Sequence, residues 1–179
     1  LISAPFHARG KDKLIFLKPK LLLSFNDQEN DILGDYFIGT EELNWGNVFS
    51  GKKIRSLTES ETGLSVSLGI ERQVFWENGR HLELSFAASK IDNLTYTPSP
   101  TLGLEARDLN YLGKFSYRTK NANSFGANAL FSSKGRLIEG DFRGNYTHKN
   151  LNLGLNYETI DQAIDNRFSE DLKTMNFMS

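Results

Sequence analysis

Residues that could carry catalytic or metal-binding chemistry are few and scattered. The three histidines, His7, His81 and His148, lie far apart in the sequence. His81 shares a predicted polar strand face with Glu83, but a zinc site needs at least one more ligand from another strand. The absence of cysteine excludes disulfides, thiolate metal sites and a cysteine nucleophile. We therefore expect no metal site and no cofactor, with each histidine near a turn.

Serine and asparagine are plentiful, so residue type alone allows a serine hydrolase with a histidine partner. The Gly-x-Ser-x-Gly pattern of many such enzymes is absent. Acidic and basic residues are nearly balanced, at 22 and 21, whereas a general nucleic-acid binder has a basic surplus. We expect a protein that is not an enzyme and has no nucleic-acid partner.

The elements that position these residues show a period of two. In the clearest run every second residue is apolar, namely Leu64, Val66, Leu68 and Ile70. The pair Asn78-Gly79 follows and predicts a type I′ turn. Alternation resumes after it, so residues 64–75 and 81–90 are predicted to form an antiparallel hairpin.

The same alternation predicts further strands along the chain. They cover residues 14–25, 111–118, 125–131, 138–146 and 151–157, with a last strand over 172–177. In the strand 138–146, Ile138 shares the apolar face with Phe142. Pro19 lacks a backbone N–H, so we expect a bulge or a sheet edge there. Residues 26–61 and 91–108 form long links, while most other connections are tight turns.

Runs of about ten residues match the length with which a tilted strand crosses a hydrocarbon layer. Several runs end in aromatic residues, which is typical of the aromatic girdle at a membrane interface. The sequence contains no run of 18 apolar residues, so it predicts no membrane-spanning helix. Alternation alone does not separate a membrane barrel from a soluble sheet. We predict an all-β antiparallel meander over a single domain, residues 1–179, forming about eight strands of a larger transmembrane β-barrel.

Strict alternation assigns each strand residue to one of two faces. One continuous lipid-facing surface is predicted to hold Leu64, Val66, Leu68, Leu82, Leu84, Phe86, Phe115, Phe142, Leu153 and Leu155. The opposite face is predicted to line a wet lumen, with Lys18, Lys20, Ser65, Ser67, Glu71, Lys114, Arg118, Asp141, Arg143, Asn152 and Asn156. A solvated, mixed-charge lining is the simpler interpretation. Alternatively, the cations contact phosphate or carboxylate groups of a passing glycolipid.

Residues 41–55 carry a family resemblance. They read Glu-Glu-Leu-Asn-Trp-Gly-Asn-Val-Phe-Ser-Gly-Lys-Lys-Ile-Arg. This segment resembles a loop-to-strand region of the LptD family of lipopolysaccharide-assembly proteins. The matching residues are Asn47, Phe49, Ser50, Gly51 and Arg55, while Lys53 departs from the family's usual aspartate. Residues 137–157 are also similar to two consecutive family strands, and 169–172 to the entry of the next.

The resemblance implies a cell outer-membrane barrel segment that takes part in lipopolysaccharide transport and insertion into the outer leaflet. It implies membrane lipids and lipopolysaccharide as partners, together with a plug lipoprotein and periplasmic transport proteins. Leu1 is not a methionine and Ser179 falls inside an alternating run, so we interpret the chain as an internal piece of a larger barrel. The alternatives are a generic outer-membrane pore or structural barrel, a soluble lipocalin-like binder and, least favoured, an outer-membrane hydrolase.

Overall fold

The computed structural model describes residues 1–26, 43–50, 59–96, 109–121, 123–149, 151–160 and 172–178. Within these ranges the chain forms strands and turns and no helix. The strands are β1 (Ile2–Ser3), β2 (Phe6–Arg9), β3 (Lys13–Asn26), β4 (Glu59–Trp76), β5 (His81–Tyr96), β6 (Asn110–Arg118), β7 (Ser124–Phe131), β8 (Leu137–His148), β9 (Leu151–Ile160) and β10 (Leu172–Met178).

All of these strands belong to one antiparallel sheet. From β3 to β10 each strand pairs with the next in sequence, while β1 and β2 both pair with the free side of β3. Among the described residues β3 and β10 do not pair, so the sheet is open. The predicted all-β antiparallel meander is confirmed. The ten strands exceed the expected number because β1 and β2 are too short to show an alternating pattern.

The predicted hairpin around Asn78-Gly79 is confirmed, and both of its strands are longer than expected. In β4 and β5, Phe75 pairs with His81 and Leu68 pairs with Ala88. Both long links are correspondingly shorter than predicted, because β4 starts at Glu59 and β5 extends to Tyr96. A register shift between Thr62 and Ser65 interrupts the pairing near the start of β4.

The turn type predicted for Asn78-Gly79 is wrong. A type I′ turn needs positive φ at both central residues, but of these two only Gly79 has it, at 81°. Gly79 N–H donates to the Trp76 carbonyl and Trp76 N–H donates to the Arg80 carbonyl, both at 3.0 Å. The loop therefore has three residues and ends on a left-handed glycine. Gly135, with φ of 76°, closes the turn between β7 and β8 with the same bonds.

Pro19 lies at a local sheet edge, which is one of the two positions predicted for it. On one side it pairs in regular register with Ile70 of β4. On the other side β1 ends opposite Lys20 and β2 begins opposite Leu17. Pro19 thus falls in the gap between the two short strands, where its missing N–H costs no ladder hydrogen bond.

Ile138 departs from its predicted face. Leu130 pairs with Glu139, but Phe131 pairs with Leu137, so β8 carries one extra residue at this point. That residue is Ile138, which is buried with Leu112 and Leu130 rather than placed beside Phe142. A β-bulge re-aims a side chain in this way, and sequence alternation does not reveal it.

Candidate functional site

The pairing registers place all ten residues predicted to share one face on the same side of the sheet. We call this side the apolar face. Its exposed large side chains, 37% to 70% accessible, are Leu17, Leu23, Phe25, Leu64, Leu68, Ile70, Leu84, Phe86, Phe115, Phe125, Tyr146, Leu151 and Leu153. A monomeric soluble protein rarely leaves so large an apolar surface uncovered.

Two exposed charged side chains, Arg72 and Lys90, lie within the described apolar face. Arg72 pairs with Leu17 and Leu84, and Lys90 pairs with Val66. They lie toward opposite ends of the β4–β5 hairpin, with Ile70 and Leu68 between them. Long cationic side chains extend toward water from an apolar surface in this arrangement, so the uncharged middle of the face remains continuous.

The opposite side, which we call the polar face, holds every residue predicted to line the lumen. Ion pairs join neighbouring strands: Lys20 bonds Glu71, and Lys114 Nζ lies 2.8 Å from Glu83 Oε1. Asn128 Nδ2 donates to Asp141 Oδ2 at 2.9 Å. These contacts link β3 to β4, β5 to β6 and β7 to β8 across the polar face. Whether this face lines a lumen stays a prediction.

Two buried serines extend this network toward the centre of the polar face. The hydroxyl oxygens of Ser67 and Ser89 lie 2.9 Å apart, so one hydroxyl donates to the other. Because serine side chains are small, they leave room above β4 and β5 for residues 43–50, which pack on this face.

Residues 43–50, the covering segment, fold into a compact turn held by two asparagines. Asn44 N–H donates to Asn47 Oδ1 at 2.8 Å, and Gly46 N–H donates to Asn44 Oδ1 at 2.7 Å. Val48 N–H donates to the Asn44 carbonyl at 2.9 Å. Asparagine side chains replace backbone partners in such turns. The turn is therefore held by hydrogen bonds among its own residues.

The covering segment packs on the polar face. Leu43 and Val48 are almost fully buried, and they form an apolar cluster with Ala87, Leu112, Leu130 and Ile138. Burying a Leu or Val side chain stabilises by about 1.5–3 kcal/mol. The sheet thus carries an apolar island inside a polar surface, and the covering segment shields that island from water.

Phe49 anchors the other end of the covering segment. A Cβ added at Gly69 of β4 would lie 2.4 Å from Phe49 Cζ, so the ring occupies the space that the glycine leaves open. Lys20 Nζ lies 5.0 Å from the centre of the same ring, within cation–π range. Trp45 meets Phe49 edge-on, with ring centres 6.0 Å apart.

Three of the residues that carry the family resemblance, Asn47, Phe49 and Ser50, belong to the covering segment. The other two, Gly51 and Arg55, lie outside the described residues. Sequence reasoning placed this segment in a link and did not predict its docking. A signal was present, since Ala87, Leu112 and Leu130 are apolar residues at polar-face positions of three adjacent strands.

A cleft of about 430 Å³ opens between the covering segment and strands β6–β8. Trp45 and the aliphatic side chains of Leu112 and Leu130 line it, together with charged groups that include Lys114 and Asp141. The described residues contain no group of three or more side chains with metal-ligand chemistry. They also contain no helix of the length and hydropathy that would cross a membrane.

Comparison of the chain with protein-family models, with curated proteins and with solved structures found no match.

Proposed function

We propose that this chain forms part of the wall of an outer-membrane β-barrel, with its apolar face toward lipid and its polar face toward the lumen. The exposed apolar face carries this proposal. Leu68, Phe86 and Leu153 lie on it in strands β4, β5 and β9, so it spans most of the sheet. The covering segment packs on the other side, and no described residue shields the apolar face.

The connections between strands support the same proposal. Turns at one end of the sheet, at residues 10–12, 77–80, 119–123 and 149–150, are short. At the other end three of the four links are longer, covering residues 27–58, 97–109 and 161–171, while the fourth covers only residues 132–136. Outer-membrane barrels combine short turns on one side with longer loops on the other.

Site-directed spin labelling tests the lipid-facing assignment. The chain has no cysteine, so single cysteines can be introduced without background labelling. Labels at Leu68 and Phe86 should be accessible to oxygen and shielded from a polar nickel quencher in vesicles. Matched labels at Asn128 and Arg143, exposed positions of the polar face, should show the reverse. Equal quencher access at all four positions would refute a membrane wall and favour a soluble sheet.

The more specific part of the proposal is that the barrel takes part in lipopolysaccharide transport and insertion into the outer leaflet. It rests on the resemblance within residues 41–55 and on the cations of the polar face, which suit phosphate and carboxylate groups. By the same resemblance, the partners are a plug lipoprotein and periplasmic transport proteins.

Photo-crosslinking in cells tests the transport assignment. A benzophenone amino acid at Arg143 or Asn152 of the full chain should capture lipopolysaccharide only while its supply continues. The matched control at Leu153, on the apolar face, should show no such dependence on supply. If no supply-dependent product forms at Arg143 or Asn152, the barrel would be a generic pore or a structural wall.

A further inference from the structure

The end of the sheet with the short turns is rich in Lys and Arg. We call the end with the short turns the short-turn rim, defined as residues 9–13, 77–80, 118–123 and 148–150. It contains seven Lys and Arg residues and two acidic residues, Asp12 and Glu77. The links at the opposite end, read from the sequence, contain twelve Asp and Glu against seven Lys and Arg. The short-turn rim is therefore basic although the chain as a whole is nearly neutral.

The cations of the short-turn rim face water. All seven are exposed: Arg9, Lys11, Lys13, Arg80, Arg118, Lys120 and Lys149. Within the described part of the chain, none of the seven takes part in an ion pair. The two carboxylates at this rim thus leave a positive surplus that is free to attract an anion.

Part of this charge lies where the rim meets the apolar face. Trp76, the last residue of β4, pairs with Lys13. The Arg80 guanidinium carbon lies 5.4 Å from the centre of the Trp76 ring. Arg72, Val74 and Trp76 occupy alternate positions of β4, so Arg72 lies on the same face as Trp76. We call Lys13, Arg72, Trp76 and Arg80 the tryptophan cluster.

We propose that the short-turn rim binds the phosphate groups of anionic phospholipids in the adjacent leaflet, and that the tryptophan cluster is a main contact. This inference rests on the proposed membrane location of the sheet. Tryptophan favours the boundary between acyl chains and headgroups, and guanidinium groups make paired hydrogen bonds to phosphate. A cationic rim bordering an apolar face and an interfacial ring fits a lipid headgroup better than a soluble polyanion.

Quenching by brominated lipids tests the proposal directly. The full chain is reconstituted in phosphatidylcholine vesicles that contain a fraction of phosphatidylglycerol, and either lipid carries bromine on its acyl chains. The Trp76→Phe variant retains Trp45, so subtracting its fluorescence from that of the parent isolates the fluorescence of Trp76. One Lys or Arg at a membrane surface changes lipid attraction about fivefold, so Trp76 should prefer phosphatidylglycerol by about fivefold or more.

Replacing three cations of the tryptophan cluster, in the variant Lys13→Gln, Arg72→Gln and Arg80→Gln, should bring the preference to about one. High salt should have the same effect, because it screens surface charge. The matched control Lys134→Gln with Arg136→Gln removes two cations from a turn at the opposite end. That control should leave the preference of Trp76 unchanged.

The outcomes separate this proposal from the one on which it rests. Equal quenching of the parent protein by both brominated lipids would overturn the rim proposal and leave the membrane location intact. No quenching by either lipid would overturn the membrane location itself. Free phosphate at matched ionic strength should not compete. If it abolishes the preference, the rim is a site for phosphate ions, and the lipid proposal is wrong.

Discussion

Gly69 leaves the space on β4 that the Phe49 ring fills, so alanine at this position should loosen the covering segment. The added Cβ would lie 2.4 Å from Phe49 Cζ and 3.0 Å from the Phe86 carbonyl oxygen. Carbon atoms in favourable contact are about 3.5–4.0 Å apart, so the ring must move by about 1 Å or more. The carbonyl belongs to a paired strand and cannot yield easily.

Overpacking of this kind costs about 1–3 kcal/mol. The clash destabilises the docked state of the covering segment, because β4 is held in place by its hydrogen bonds to β3 and β5. An opening equilibrium for the segment should therefore rise between about fivefold and about 150-fold in Gly69→Ala.

Thiol labelling measures that equilibrium. Val48 is fully buried, so the parent for the assay is Val48→Cys, with Asn78→Cys in the exposed turn as the unprotected reference. Gly69→Ala should raise the labelling rate at position 48 relative to the reference. Gly113→Ala is the matched control, since a Cβ there meets nothing within 4 Å.

A double-mutant cycle identifies the partner in the clash. Phe49→Ala removes the ring and should itself speed labelling at position 48. Adding Gly69→Ala to that background should then have a much smaller effect, because only the contact with the Phe86 carbonyl remains. If Gly69→Ala leaves labelling unchanged, or if Gly113→Ala speeds it equally, the argument that Phe49 anchors the segment fails.

Three further predictions concern the sheet. Ser67→Ala should lower the free energy of unfolding by about 1–3 kcal/mol because it leaves the buried Ser89 hydroxyl without its partner. Urea titration measures this loss. The prediction would be contradicted if the double variant Ser67→Ala with Ser89→Ala lost more stability than the two single variants combined. Phe86→Arg should impair folding into vesicles by about 2–4 kcal/mol, whereas Asn128→Arg should have little effect; equal effects would count against a lipid-facing side. Gly79→Ala should cost about 1–2 kcal/mol, since its positive φ strains alanine, and an unchanged unfolding midpoint would disprove that.

Local sequence pattern predicts the eight longer strands and, except at Ile138, the two faces of each. Alternation is a local property, because successive side chains of an extended chain point to opposite sides whatever the partner strand. The run from Leu64 to Ile70 therefore assigned its faces correctly before any pairing was known. Asn78-Gly79 marked a hairpin for an equally local reason, since glycine accepts the positive φ that a tight turn requires.

The geometry of the turns and the positions where alternation breaks depend on how the strands pair. Asn78 keeps an ordinary φ because the three-residue loop needs a left-handed conformation at Gly79 alone. The bulge that buries Ile138 depends on how β8 pairs with β7. Both outcomes follow from the register between strands, which one strand's sequence does not specify.

The docking of the covering segment was likewise a tertiary outcome. Val48 and Phe49 contact residues of β4 to β8 that are distant in sequence, such as Gly69 and Leu130. No local pattern states which surface a linking segment will cover. The choice follows from shape, because Gly69 leaves room for a ring, and from the hydrophobic effect, because the apolar island on the polar face is more stable when shielded from water.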